Sequence, residues 1–389
     1  MIRTLPSLAR SGTAIVAVLL AATAAVSACA GGKPDVTVIR IGVSLEHSGA
    51  TKSIGQVYEK AIKLKARQLN AASSTRKYRL IIRDNKTDPK QTLANFREFV
   101  ERDHVSAIVS GACSACMAAA TGYVRAHRVP TISLESATAT GPMSSRRYLF
   151  NIGAKQDDKA NALIGELKRQ GVGSIGLLAV DNVYGAGGQQ AVRTAARRDG
   201  IRIAATATFP QDATNVRKPV ATLAAAQPDV IVAWAVMPAA GYVARDTNAA
   251  GYHNKLYLDA GAGAELFVHG AGHAAEGAHM VFPEVLAIND TIATTPDILV
   301  RKQWFRDYVG RYGAYSGFAS YGADALLLLD QAVRKAKTAN REQLRDTMEH
   351  TMLDGLTGTI AMSPTNHAGL EGNALKILVV KDGEWRLLD

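Results

Sequence analysis

Short apolar runs of strand length alternate with helical patterns along most of this chain, and this alternation constrains the fold more than any other feature. In the first half, strands are predicted at residues 36–43, 78–83, 104–110 and 130–134, and helices at 54–70, 88–103 and 114–127. After residue 150 the pattern restarts, with strands at 174–180, 201–209, 229–236 and 255–259 and helices at 157–170, 184–198, 215–226 and 238–250. Strict alternation produces parallel sheets that helices cover on both faces. We therefore predict an α/β fold with two doubly wound parallel-sheet domains.

The C-terminal part of the chain departs from this pattern. Three successive helices are predicted at residues 295–312, 320–339 and 341–352, with no strand between them. Because they cannot form a third sheet domain, they should pack onto one of the first two. Residues 375–380 and 385–388 predict a terminal hairpin with a type I′ turn at Asp382-Gly383.

Residues 1–28 are predicted to be a signal peptide, and residues 29–35 a short linker. The first ten residues carry two arginines and no acid, and residues 11–26 are small or apolar throughout. This run is too short, and too rich in Ala, Thr and Ser, to favour a permanent membrane span. Its ending, Val26-Ser27-Ala28-Cys29, resembles the lipobox of bacterial lipoproteins, whose cysteine is acylated and begins the mature protein. The alternative is an ordinary secretory signal with a chance cysteine.

The expected location is therefore extracytoplasmic, with a lipid on Cys29 holding the protein to the membrane. It would lie on the outer face of the plasma membrane, or in the periplasm if the host has an outer membrane. The chain carries 45 Lys and Arg against 34 Asp and Glu, a formal net charge of +11. These basic residues are scattered, and the protein is predicted to be exported, so we interpret the charge as solvated surface and exclude nucleic acid as a partner.

Two further sets of residues have spacings that could support a chemical function. Cys113 and Cys116 can form a short-loop disulfide in an oxidising compartment, or alternatively a redox-active pair. His269, His273 and His279 have a metal-like spacing, but the intervening glycines argue against a rigid presentation, and no metal is predicted. Phosphate-binding, Gly-x-Ser-x-Gly and HExxH motifs do not occur in the sequence. We therefore expect no cofactor and no enzymatic activity.

Two doubly wound domains imply a cleft between them, and ligands of such folds bind beyond the carboxyl ends of the strands. Ser114 follows a predicted strand at the start of a helix, so its hydroxyl and the free backbone N–H groups there should point into the cleft and hold a carboxylate. The alternative is that Ser114 is only a helix N-cap. The next junction, at residues 135–138, offers Ser136 and Thr138 in the same way.

The second domain should supply the opposite wall. Tyr184 follows the strand at 174–180, where its ring and hydroxyl can face the cleft, although it may also simply begin its helix. The remaining residues of the predicted ligand-binding set are Ile54, Ala112, Val236 and Asp259.

Several short motifs together resemble the branched-chain amino-acid binding proteins, type I periplasmic binding proteins that serve ABC importers. They are Ile41-Gly42-Val43, Asp88-Pro89-Lys90-Gln91, Cys113-Ser114, Ala137-Thr138, Tyr184-Gly185 and Ala275-Glu276-Gly277. The resemblance implies that Ser114 binds the ligand carboxylate. It also implies three crossovers near Gly153, Phe282 and Gly358, which give an N-terminal lobe of residues 36–153 plus 283–357 and a C-terminal lobe of 154–282 plus 358–389.

One departure from that family bears on the ligand. Ala260 stands where the family's amino-acid binders usually place an acid for the ligand ammonium, with Asp259 one residue away. The expected ligand is therefore an amino acid or a related small carboxylate or amide. We predict a solute-binding lipoprotein that closes on its ligand by a hinge and delivers it to an ABC permease. The alternatives are a ligand sensor of the same fold and an extracytoplasmic thiol–disulfide enzyme.

Overall fold

Two sheets built mainly from parallel strands form the frame of the protein. The computed structural model describes residues 1–2, 37–136, 142–253 and 255–388. From Thr37 onward the chain forms one compact unit. The predicted lipidation site Cys29, the linker 29–35, Thr138 and nearly all of the predicted signal peptide lie outside the described residues.

The first sheet contains five strands in the order β2-β1-β3-β4-β5, all parallel to their neighbours. Its strands are β1 (Thr37–Leu45), β2 (Arg76–Asp84), β3 (Ala107–Ser110), β4 (Thr131–Ser133) and β5 (Leu149–Asn151). The residues of the inner strands β3 and β4 are all buried, as expected for a parallel sheet covered on both faces.

The second sheet has seven strands in the order β14-β13-β10-β9-β8-β6-β7. Its strands are β6 (Ser174–Val180), β7 (Arg202–Phe209), β8 (Val230–Trp234), β9 (Leu256–Leu258), β10 (His279–Pro283), β13 (Leu375–Lys381) and β14 (Glu384–Leu387). Strands β6 to β10 run parallel, whereas the terminal hairpin pairs antiparallel with β10. A separate antiparallel pair is formed by β11 (Met352–Asp354) and β12 (Thr359–Ala361).

Twelve α-helices lie in the described part of the chain. They are α1 (Lys52–Ala71), α2 (Pro89–Arg97), α3 (Ser114–Ala126), α4 (Met143–Arg146), α5 (Gln156–Arg169), α6 (Val183–Asp199), α7 (Arg217–Ala225), α8 (Ala239–Ala249), α9 (Glu265–Ala271), α10 (Pro296–Tyr312), α11 (Phe318–Ala336) and α12 (Arg341–Met348). Within the described residues, none of the helices is long and apolar enough to cross a membrane.

The chain passes three times between the two sheets. It leaves the first sheet after β5, and it leaves the second after β10 to form α10, α11 and α12. Helix α11 packs against α1, which belongs to the first sheet's layer, before the chain returns to the second sheet at β13. The predicted fold class is confirmed. The exact lobe boundaries stay a prediction.

The terminal hairpin agrees with its sequence signal. Strands β13 and β14 pair antiparallel, and Asp382 and Gly383 between them have φ values of 55° and 75°. Positive φ at both central positions is what a type I′ turn requires. By contrast, β5, β10, β11 and β12 were not predicted.

Candidate functional site

A small cavity of about 50 Å³ lies where the carboxyl ends of strands from both sheets meet. The segments that follow β3, β4, β8 and β9 contribute to its wall, as do α1, α5, α6 and α11. Its lining residues are Ile54, Tyr58, Ala112, Leu134, Glu135, Ser136, Gly153, Ala154, Lys159, Tyr184, Val236, Ala260, Gly261, Phe318 and Tyr321. This is the position at which doubly wound sheets present binding groups.

The structure brings most of the predicted ligand-binding residues together. Five line this cavity, namely Ile54, Ala112, Ser136, Tyr184 and Val236. Ser114 lines a neighbouring cavity of about 70 Å³, to which Ala112, Tyr184 and Val236 also contribute. Asp259 is wholly buried behind the cavity wall. Thr138 lies outside the described residues.

Ser114 is the first residue of α3, and its hydroxyl has no hydrogen-bond partner among the described residues. The N-cap of this helix is Cys113, so the interpretation of Ser114 as an N-cap is wrong. The Ser114 side chain is buried, and its Oγ makes no hydrogen bond within the part of the chain that is described. A buried hydroxyl without a partner is costly, so this atom is available for a ligand. In the same turn, Cys113 and Cys116 are joined by a disulfide.

A buried carboxylate occupies the start of α3. Glu46 follows β1, and its carboxylate accepts hydrogen bonds from the backbone N–H groups of Ala112 and Cys113, each at 3.2 Å, and from Asn85 Nδ2 at 2.9 Å. These two N–H groups are therefore not free for a ligand carboxylate. The close approach requires Gly111, because a Cβ there would overlap the Glu46 carboxylate. Burial raises the pKa of Glu46, and the hydrogen bonds partly offset this.

A buried ammonium occupies the other side of the cleft. The side chain of Lys159, on α5, is 2% exposed. Its Nζ lies 3.0 Å from Tyr184 Oη, 3.4 Å from Asp259 Oδ2 and 3.4 Å from Ser136 Oγ. The amine therefore contacts groups at the strand ends of both sheets. Burial lowers the pKa of Lys159, and the negative charge of Asp259 opposes that shift.

Asp259 is fully engaged by the chain itself. Its Oδ1 accepts from the Ala235 N–H at 3.0 Å, and its Oδ2 accepts from the Gly261 N–H at 3.1 Å. The Tyr184 hydroxyl and the Lys159 ammonium also contact Oδ2. Burial raises the pKa of Asp259, with Lys159 acting against it, and burial also raises the pKa of Tyr184 well above its ordinary value. Asp259, one of the predicted ligand-binding residues, thus already has a cationic partner within the chain.

Aromatic and aliphatic side chains complete the cavity. The buried rings of Tyr58 and Phe318 meet edge to face, with centroids 6.0 Å apart. Glu135 is the carboxylate on the wall, and its Oε1 accepts from Ser133 Oγ and Asn151 Nδ2. The cavity therefore combines a largely apolar lining with a few polar groups, as small-molecule sites do.

Sequence reasoning missed Glu46, Tyr58, Glu135, Lys159, Phe318 and Tyr321. A usable signal existed for Lys159, because it falls within the buried stripe that Ala160, Leu163 and Leu167 form on α5. A lysine within an apolar stripe either has a buried partner or disrupts packing.

The histidine spacing does not assemble a cluster. The described residues contain no group of three or more His, Cys, Asp or Glu side chains placed to hold a metal ion. The ring of His279 instead stacks on Tyr257, with centroids 4.4 Å apart.

The two sheets, the three crossings and the cleft at the strand ends define the class of type I periplasmic binding proteins. This chain belongs to the periplasmic binding protein family, whose model matches residues 38–384. The family resemblance drawn from the sequence is thereby confirmed.

Solved structures of similar proteins show the same fold. An extracellular ligand-binding receptor from Rhodopseudomonas palustris is 20% identical, with a TM-score of 0.83 over 90% of this chain and 99% of its own. A leucine-binding protein, LivK, from Thermotoga maritima is 18% identical, with a TM-score of 0.78 over 90% and 98%. The branched-chain amino-acid transporter substrate-binding protein LivJ from Streptococcus pneumoniae, in complex with isoleucine, is 20% identical, with a TM-score of 0.76 over 90% and 99%. At these identities the likeness concerns the fold.

Proposed function

We propose that this protein is an extracytoplasmic solute-binding lipoprotein of an ABC importer. It would capture an amino acid of the branched-chain type, or a related small carboxylate or amide, in the cleft. The observation that carries this proposal is the cavity lined from the strand ends of both sheets. The leucine and isoleucine named for LivK and LivJ support a ligand of this size.

The proposed mechanism is hinge closure. Ser114, Ser136 and Thr138 would contact the ligand from the first sheet, and Tyr184 and Val236 from the second. A ligand held by both sides stabilises the closed form over the open one, and the permease recognises that difference. The buried, unpartnered Oγ of Ser114 supports its role as one of these contacts.

Membrane anchoring through Cys29 is the second part of the proposal. Cells that express the full chain should incorporate labelled palmitate into the protein, and the protein should sediment with membranes. Cys29→Ala should abolish the label and release an exported protein, because the thiol that carries the lipid is gone. Unchanged labelling of Cys29→Ala would contradict this assignment.

A thermal-shift screen tests the binding function. Amino acids, aliphatic acids and amides at millimolar concentration should include ligands that raise the Tm, because a ligand at about 100 times its Kd stabilises the folded state by about 2.7 kcal/mol. Ser114→Ala should weaken that shift, while Ser145→Ala, at a half-buried serine whose hydroxyl donates to the Pro142 carbonyl, should not. The absence of any stabilising compound in all three classes would contradict the proposal.

A further inference from the structure

The chain itself places a carboxylate and an ammonium at the two positions where the charges of a zwitterionic ligand were expected to bind. The Glu46 carboxylate is bound to the N–H groups of Ala112 and Cys113, beside the first turn of α3. Across the cleft, the Lys159 ammonium is bound at Asp259. Glu46, Lys159 and Asp259 are all buried, so these contacts are not displaced by water.

This arrangement disfavours an α-amino acid. The ligand ammonium needs an acceptor, but each oxygen of Asp259 already accepts hydrogen bonds within the chain. An ammonium placed at Asp259 would also lie beside the ammonium of Lys159, and two like charges in a desolvated site repel strongly.

The same arrangement favours a ligand oxygen near Lys159. Nζ lies 3.4 Å from both Asp259 Oδ2 and Ser136 Oγ, at the long end of the range for a hydrogen bond, and only the contact to Ser136 lacks the attraction of an opposite charge. Lys159 and Ser136 both line the cavity, so a ligand carboxylate can accept from both in place of that contact. Ile54, Leu134 and Phe318 offer apolar surface to the rest of the ligand.

We propose that the cleft binds a small carboxylate with an apolar body and no ammonium group on its α-carbon, and that Lys159 is the cation that faces the ligand carboxylate. This inference rests on the proposed binding function and narrows its ligand class. In this assignment Asp259 neutralises and orients Lys159 and does not contact the ligand.

Matched pairs of probes that differ only in the ammonium group provide the test. L-Leucine is compared with 4-methylpentanoate, and L-phenylalanine with 3-phenylpropanoate, by calorimetry on the mature protein. Within a pair, the acid without the ammonium should bind at least about tenfold more tightly. This comparison uses the wild-type protein, so it does not depend on a variant that folds.

Variants then test the role of Lys159. Lys159→Met/Asp259→Asn removes both buried charges together, and the affinity for the preferred acid should fall about tenfold or more. Lys159→Met alone leaves Asp259 without its cation and should move the preference toward the amino acid of the pair. Lys155→Met, at a partly exposed residue of the same helix entry that pairs with Asp158, is the control and should bind like the wild type.

The outcomes separate the two proposals. If the amino acids bind more tightly than their acids, the ligand class is overturned while the binding function stands, and Glu135 becomes the residue to test for the ammonium. If the double variant keeps the wild-type affinity, the role of Lys159 is overturned. If no probe of either kind binds, the proposed binding function is itself contradicted.

Discussion

Gly188 illustrates at the scale of one residue how the cleft depends on close packing. It lies on α6, and a Cβ at this position would overlap the ring of Trp234, which is completely buried. That ring donates from Nε1 to Gln156 Oε1 at 2.9 Å, and Lys159 Nζ lies 5.1 Å from its centroid. Because Gly188 has no side chain, the Trp234 ring can pack against α6 in the position where it faces the Lys159 ammonium.

Gly188→Ala should lower the free energy of unfolding by about 1–3 kcal/mol, because the added methyl group overpacks the core. Its neighbour Gly187 is the matched control, because a Cβ there would lie 3.8 Å from Gln156 Cγ, in ordinary contact. Gly187→Ala should be neutral or stabilise by up to about 1 kcal/mol, the helix preference for Ala. Urea denaturation measures both, and equal stabilities would contradict the packing argument.

The buried carboxylate of Glu46 should make stability depend on pH. Burial raises its pKa in the folded state above the ordinary value of 4.5, so over the range above 4.5 the folded protein retains a proton that the unfolded chain has lost. The free energy of unfolding should therefore fall as pH rises through that range. In Glu46→Gln, which cannot titrate, the slope should be less negative above pH 4.5. Superimposable slopes from denaturation at several pH values would contradict this.

At the scale of elements, a buried aspartate attaches the loop between β11 and β12 to α11. Asp324 Oδ1 accepts from the Leu356 N–H at 2.7 Å, and Oδ2 accepts from the N–H and the hydroxyl of Thr357 at 2.9 and 2.6 Å. Asp324 is completely buried, so water cannot accept hydrogen bonds from these donors in its place. The loop includes Gly358, near which the third crossover was predicted.

Asp324→Ala should lower the free energy of unfolding by about 3 kcal/mol, because it leaves buried donors of Leu356 and Thr357 without acceptors. Asp324→Asn retains one carbonyl oxygen and should cost clearly less. Chemical denaturation of both variants measures the difference. Equal losses would contradict this expectation, because Asn fills the space of Asp, and they would show that its single carbonyl oxygen replaces none of the carboxylate's hydrogen bonds.

The elements and the binding edge were predictable from the sequence, but the charge arrangement was not. Local periodicity gives the alternating strands and helices, and the strand ends then point to Ala112, Ser136 and Tyr184. Glu46, in contrast, meets Ala112 across 66 positions, and Lys159 meets Asp259 across 100. Contacts at such separations form only when the sheets assemble. No local sequence pattern indicates which side chains will then contact each other.

At the scale of the whole molecule, the proposed hinge closure predicts that the protein opens to admit its ligand. Tyr58 and Lys159 line the cavity and are almost completely buried, and the cavity holds only about 50 Å³, so a ligand larger than this needs the cleft to widen. The segments that cross between the sheets join the two halves of the described unit, and rotation at a few residues within them is the motion that such folds use. Ligand binding should accordingly select a closed form from an equilibrium with an open one.

Small-angle scattering tests that motion on the mature protein. The radius of gyration should decrease when a saturating ligand from the thermal-shift screen is added, because the ligand binds groups from both sheets at once and favours the closed form. Ser114→Ala at the same ligand concentration should show a smaller decrease, since the weaker site is less occupied, and recover the full decrease at higher concentration. A ligand that stabilises the protein without changing the radius of gyration would contradict hinge closure. That result would indicate that the ligand binds to a site that is already closed.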